Sequence, residues 1–260
     1  MITLDEIRAG YSPQLHDRTS FLLREYLQYR MLQLIFRSVH GPKLVFLGGT
    51  CLRLLHGNQR FSEDLDFDNK GFTADQFKAL ADEVGRGLER EGYQVDVEVR
   101  SRTAFRCRVR FPGLLFQHGL TGHAEQRVLI QFDTEPQHHV YEPELRRLDK
   151  FDVSFTVPCC SPDLLLAQKC HAILGRPRNK GRDFFDVVFL LGMNARPDMA
   201  YVRERIGVDS QRDLAGRLLA HCAGLDMEQQ AEDVRPFLFR AELAERVTRF
   251  PEIIRQQWLG

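Results

Sequence analysis

Apolar residues at Phe21, Leu22, Tyr26, Leu27, Met31, Leu34 and Ile35 recur every three to four positions, so residues 12–38 are predicted to form one amphipathic helix or two. The period then changes. Residues 43–47 make a short apolar strand that Gly48-Gly49 breaks, and residues 50–56 return to a helical spacing. Residues 64–68 (DLDFD) alternate polar and apolar, as a half-buried strand does. Thr73 reads as the N-cap of a helix running to Arg90 and closed by Gly92. Three further alternating runs, 93–100, 104–111 and 127–134, are predicted strands, the first two able to pair through Ser101-Arg102-Thr103.

From residue 161 onward the spacing is helical. Ser161-Pro162-Asp163 sets an N-cap before a proline at the first helical position, opening a helix to about Leu174. A basic loop at 176–181, a helix at 182–191 and several short helices over 199–258 follow. The predicted fold is therefore α+β. A mixed sheet with flanking helices occupies residues 1–158 and a helical domain 159–260, with the boundary at Pro158-Cys159-Cys160-Ser161.

Composition narrows the function classes. Lys+Arg 36 balances Asp+Glu 36, which excludes an overall polycation, so any nucleic-acid contact must come from a local patch. The six cysteines show no C-x-x-C spacing and lie in apolar contexts, which argues for reduced, buried thiols rather than a zinc site or a disulfide framework. No stretch approaches the ~20 apolar residues of a membrane span, and the first twenty residues carry acids without an apolar run. The expected location is the cytoplasm, with no membrane partner. The nine histidines form no H-E-x-x-H pattern, His138-His139 is placed in a loop, and no G-x-S-x-G or P-loop signature is present.

The informative segment is LGGTCLRLLHGNQRFSEDLDFD, residues 47–68. Two glycines between a strand and a helix let backbone N–H groups approach a phosphate at a positive helix end. Asp64 and Asp66, two apart on a strand, point to one face, while Leu65 and Phe67 anchor the other. Carboxylates so placed repel unless a cation lies between them, and Mg²⁺ takes carboxylate oxygens together with substrate phosphates. Asp68 extends the row to three same-face acids and could be a ligand in place of Asp64, although an acid at a strand end is more often a turn residue. A third carboxylate is expected on a neighbouring strand: Asp133 is the first candidate, with Asp96 and Glu98 as competitors. Ser62 reads as a strand-entry or metal-adjacent hydroxyl.

A second cluster spans residues 169–191. Lys169 lies in an otherwise apolar helix, and Asp183 and Asp186 are spaced i, i+3 on one helix face. They suit either a capped helix with an Arg–Asp pair or a triphosphate clamp, in which Lys169 and Arg182 neutralise phosphate and an acid orients them. The run 176–182 could grip an RNA backbone or be a solvated loop; Phe184 and Phe185 are assigned to the core.

Gly48-Gly49-Thr50-Cys51-Leu52-Arg53, followed by Arg60-Phe61-Ser62-Glu63-Asp64-Leu65-Asp66-Phe67, resembles the first two motifs of the AbiEii/AbiGii toxin family. That family belongs to the DNA polymerase β-like nucleotidyltransferase superfamily. Lys169 and Arg182-Asp183-Phe184-Phe185-Asp186 are similar to its downstream Lys and Arg-Asp-x-x-Asp motifs, so the resemblance spans residues 44–191. Cys51 stands where the family often has a small Ala. The resemblance implies a polymerase β-like nucleotidyltransferase sheet followed by a helical domain, and Mg²⁺ with an NTP as donor. It also implies a toxin with a cognate antitoxin, in a toxin–antitoxin or phage-defence system, that adds NMP to the 3′ end of tRNA and blocks translation. By the same resemblance Asp64 and Asp66 hold metal, Gly48, Gly49, Thr50 and Ser62 line the phosphate site, and Lys169 and Asp183 are required for transfer. Asp64, Asp66 and Asp133 are then expected to hold two metal ions about 3.5–4 Å apart. Two other classes stay open: a nucleotidyl- or phosphotransferase acting on a protein or small molecule, and a non-catalytic module that binds RNA or a partner.

Overall fold

The computed structural model describes residues 2–101, 104–136 and 139–260; Arg102 and Thr103 of the predicted turn and His138 lie outside the described residues. The chain divides into two units, Met1–His56 with Phe61–Cys159 and Gly57–Arg60 with Cys160–Gly260.

The first unit is built on a sheet. Among the described residues its strands are β1 (Leu44–Leu47), β2 (Leu65–Asn69), β3 (Asp96–Ser101), β4 (Phe105–Phe111), β5 (Val128–Pro136), β6 (Glu144–Lys150) and β7 (Val153–Cys159). Their order is β3-β4-β5-β2-β1-β7-β6, with β2–β5 and β1–β7 parallel and the other pairs antiparallel. Its helices are α1 (Leu4–Ala9), α2 (Thr19–Arg37), α3 (Gly48–His56), α4 (Ala74–Arg90) and α5 (Leu114–Gln117).

The alternation along each strand assigns its faces. Leu65 and Phe67 of β2, Ile130 and Phe132 of β5 and Cys107, Val109 and Phe111 of β4 are all buried. Phe67 meets Phe36 of α2 at 5.9 Å between ring centroids, and Phe132 meets Phe77 of α4 at 5.4 Å. Helices α2 and α4 therefore cover one face of the sheet. Each such side chain stabilises the unit by roughly 1.5–3 kcal/mol through removal from water. Asp66, Asp133 and Arg106 belong to the opposite face.

The predicted elements are present, and the differences have local causes. Residues 12–38 form a 3₁₀ turn, Pro13–Arg18, followed by α2, because Pro13 starts a tight turn that Thr19 leaves. Helix α3 begins at Gly48 rather than Thr50, so both glycines belong to its first turn. Strands β6 and β7 are additions to the predicted set. β6 reads ELRRLDK with only Leu148 buried, which leaves no hydrophobic period to detect, and Pro158 interrupts the alternation of β7.

The second unit is helical: α6 (Pro162–Gly175), α7 (Gly181–Gly192), α8 (Met199–Ile206), α9 (Gln211–Cys222), α10 (Met227–Val234), α11 (Glu245–Thr248) and α12 (Phe250–Trp258). Ser161 caps α6 by accepting from the Leu164 N–H, with Pro162 at the first position. Phe184 and Phe185 are buried, Phe184 meeting Phe250 edge-on at 5.1 Å. Helices α7 and α10 approach so closely that a Cβ on Gly181 would overlap the Gln230 carbonyl, and the Gly181 N–H donates to Asp233 at 2.9 Å. The six cysteines are buried and none of them forms a disulfide. Among the described residues no helix is long and apolar enough to cross a membrane.

Candidate active site

Strand register assembles the carboxylates. Asp66 on β2 lies beside Leu47 on β1 and beside Asp133 on β5, and Asp133 lies beside Arg106 on β4. One line across the sheet thus carries Leu47, Asp66, Asp133 and Arg106, with neighbouring strands about 4.8 Å apart. Asp96 and Glu98 are on β3, three strands from β2, on the order of 14 Å away by the same spacing. They have their own partners. Asp96 pairs with Arg127 at 3.4 Å, and Glu98 accepts from Arg110 at 2.5 Å and Arg100 at 2.7 Å, which holds its pKa down at about 2. Only Asp133, of the three, neighbours β2.

The approach to the pair is shaped by α3. Gly48 has φ +79°, the left-handed region, and a Cβ there would collide with the Asp66 carboxylate. The turn therefore requires glycine for its backbone angle and for its closeness to Asp66. Gly49 and Thr50 are buried, and the Thr50 hydroxyl donates to the carbonyl of Asp64. Asp64 lies just before β2 rather than on it, fixed by this bond to the first turn of α3. Asp68 is inside β2, buried, and accepts from the Tyr141 hydroxyl, so it is a strand residue and not a turn residue.

Two residues that sequence reasoning passed over position this segment. Gln28 of α2, 1% exposed, donates through Nε2 to the carbonyls of Ser62 and Glu63, each at 3.0 Å. Arg106 donates to Asp133 Oδ2 at 3.1 Å, and Gln131 donates to the same oxygen at 2.9 Å. The only signal for Gln28 was a polar residue inside an apolar helix pattern; for Arg106 there was none without the β4–β5 register.

Asp133 is the strained member. Burial raises its pKa first; Arg106 works in the other direction and the charge of Asp64 raises it further. Its Oδ1 is buried and has no hydrogen-bond partner among the described residues. A buried carboxylate oxygen left unsatisfied is costly unless a cation meets it. Among the described residues no three His, Cys, Asp or Glu side chains gather tightly enough to hold a metal alone. The donor set fits a hard divalent ion that completes its shell with water and substrate phosphate; Asp66 and Asp133, with Asp64 adjoining, are the residues that would hold it.

The helical unit carries the second predicted cluster. Lys169 donates to Asp183 at 2.9 Å and pairs with Asp186 at 2.8 Å, while Arg176 pairs with Asp183 at 3.2 Å. Asp186 is fully buried and receives Arg60 through two bonds, 2.7 and 2.6 Å, and Asn58 at 2.8 Å. Burial alone would raise Asp186; Arg60 and Lys169 overcome it and hold the pKa at about 2. Burial likewise opposes the charge on Lys169, but Asp183 and Asp186 raise its pKa. Arg60 was missed as a member because its partner lies 126 positions away. Arg182 stacks over the Phe237 ring at 4.7 Å. Lys169, Asp183 and Asp186 are thus brought together, and Arg182 has an aromatic neighbour of its own.

Residues 30–257 match the protein family described as Nucleotidyl transferase AbiEii toxin, Type IV TA system. No curated protein matches the chain by sequence. Among solved structures, JHP933 from Helicobacter pylori is similar with a TM-score of 0.56 and 19% identity, over 92% of this chain and 94% of that one. MenT4, the nucleotidyltransferase toxin Rv2826c from Mycobacterium tuberculosis H37Rv, is similar with a TM-score of 0.58 and 18% identity, over 99% of this chain and 93% of that one. At these identities the two structures establish a shared fold.

Proposed function

The chain belongs to the AbiEii nucleotidyl transferase toxin family, and from that premise we propose that it moves NMP from an NTP to the 3′ end of a tRNA. Translation stops as a consequence, and a cognate antitoxin relieves the block. The setting is the cytoplasm, in a toxin–antitoxin or phage-defence system.

The observation that supports this reading is the Asp66–Asp133 pairing across β2 and β5, with Asp133 Oδ1 buried and unsatisfied. Asp64, Asp66 and Asp133 are assigned to hold Mg²⁺. When bound, Mg²⁺ supplies charge neutralisation at the phosphates and lowers the pKa of the attacking hydroxyl. The rest falls to the chain's own residues. Gly48 and Gly49 leave room for the triphosphate against the first turn of α3, whose N–H groups favour an anion there. Thr50 fixes Asp64 through its carbonyl, Gln28 steadies the Ser62 segment, and Arg106 holds one oxygen of Asp133. Lys169, Arg182 and Asp183 are assigned to phosphate neutralisation and its orientation, with the loop 176–180 gripping the acceptor.

Purified protein given each labelled NTP in turn, with Mg²⁺ and total RNA, is expected to yield a labelled product of tRNA size. Label on a small molecule or on protein would overturn the tRNA assignment in favour of another acceptor.

A further inference from the structure

A cavity of about 580 Å³ in the helical unit is lined by His171 and Leu174 of α6, Arg205 and Ile206 of α8, and Arg217 and His221 of α9. No carboxylate lines it. That is notable where charges balance overall and where Arg203, two residues before Arg205, pairs with Asp209 at 2.7 Å. Among the described residues neither Arg205 nor Arg217 has a carboxylate partner.

The lining is held in place. Arg217 donates to the carbonyls of Ile206 at 2.7 Å and Gly207 at 3.3 Å, at the end of α8. A guanidinium has five N–H donors, so most remain for a ligand. His171 meets the Tyr201 hydroxyl through Nδ1 at 3.2 Å, and His221 meets Asn179 Oδ1 through Nε2 at 3.0 Å. Asn179 is itself anchored by donating to the Ile173 carbonyl at 2.7 Å. Each imidazole is therefore oriented through one nitrogen and retains the other. Burial, then the charge of Arg205, lowers the pKa of His171, and Arg205 and Arg217 carry fixed positive charge.

We propose that this cavity binds a nucleoside phosphate unit. Arg205 and Arg217 take the phosphate, which their planar forks match, and Leu174 with Ile206 forms an apolar floor for sugar and base. A single carboxylate would leave most of the volume empty, whereas sites of roughly 300–1,000 Å³ suit molecules of nucleotide size. The unit is either a free mononucleotide or one nucleotide of an RNA strand. The proposal stands on the helical unit alone and does not depend on transfer at the sheet.

The test uses the full chain with two probes, AMP and a short labelled single-stranded RNA. Arg205 is exposed, so Arg205→Glu is expected to fold and to weaken at least one probe by about ten-fold or more, as loss of a charged hydrogen bond does. Arg205→Lys, which keeps the charge but not the fork, is expected to bind more weakly than wild type and more tightly than Arg205→Glu. A loss confined to AMP identifies a free nucleotide; a loss on RNA, with the salt slope of Arg205→Ala reduced by about one, identifies the strand. Should Arg205→Glu not fold, Arg205→Gln decides by the same comparison. Wild-type protein that binds neither probe, or a folded variant that binds both as wild type does, would overturn the proposal.

Discussion

A β-carbon at position 48 would lie 3.1 Å from both Cβ and Cγ of Asp66 and still closer to its carboxylate oxygen. The turn and the carboxylate therefore fit together only with glycine, which also satisfies the φ of +79°. Gly48→Ala is expected to cost about 1–3 kcal/mol, combining left-handed backbone strain with displacement of Asp66. Urea unfolding measures it. Stability equal to wild type would mean that neither the angle nor the approach constrains this turn.

Asp133 carries its charge against burial, and its folded pKa is raised. An acid with a raised folded pKa binds its proton more tightly when native. The fold is then penalised above the folded pKa, and the penalty disappears below the unfolded value. At neutral pH Asp133→Asn is therefore expected to leave stability unchanged or to raise it while abolishing nucleotide transfer. Mg²⁺ is expected to raise the melting temperature of the wild type more than that of the variant. Marked destabilisation by Asp133→Asn would show that the Arg106 pair dominates instead.

Asp186 has the opposite sign. Its pKa is held at about 2 against an ordinary 3.8, so its contribution is full above the ordinary value and is lost as pH falls from about 4 toward 2. Asp186→Ala leaves Arg60 and Lys169 without their shared buried partner and is expected to cost about 3–5 kcal/mol at pH 7. The difference between wild type and variant is expected to shrink in that acid window. A difference independent of pH would assign the loss to packing rather than charge.

The local features were legible because their causes are local. The glycine turn, the DLD strand, the Thr73 and Ser161 caps and the alternation of β5 each follow from neighbouring residues. What was hidden depends on pairing between distant segments. Asp133, Asp96 and Glu98 look alike as strand acids, and strand order alone separates them. Arg60 gives no sign of Asp186, nor Arg106 of Asp133, before the chain is folded. β6 is an edge strand made mostly of charged residues, so its period carries no hydrophobic signal. Helix α1 did have a local signature, the Thr3–Glu6 capping box, and was overlooked because only Ile7 is buried.

The direct measurement is transfer of label from an NTP, radiolabelled at its α-phosphate, onto RNA by Asp66→Asn beside wild type in Mg²⁺. Asp66 is central to the carboxylate line, and loss of its charge is expected to lower the rate by about 10³-fold or more in a variant that remains folded. Labelling by folded Asp66→Asn at the wild-type rate would contradict the assignment of this sheet face to catalysis.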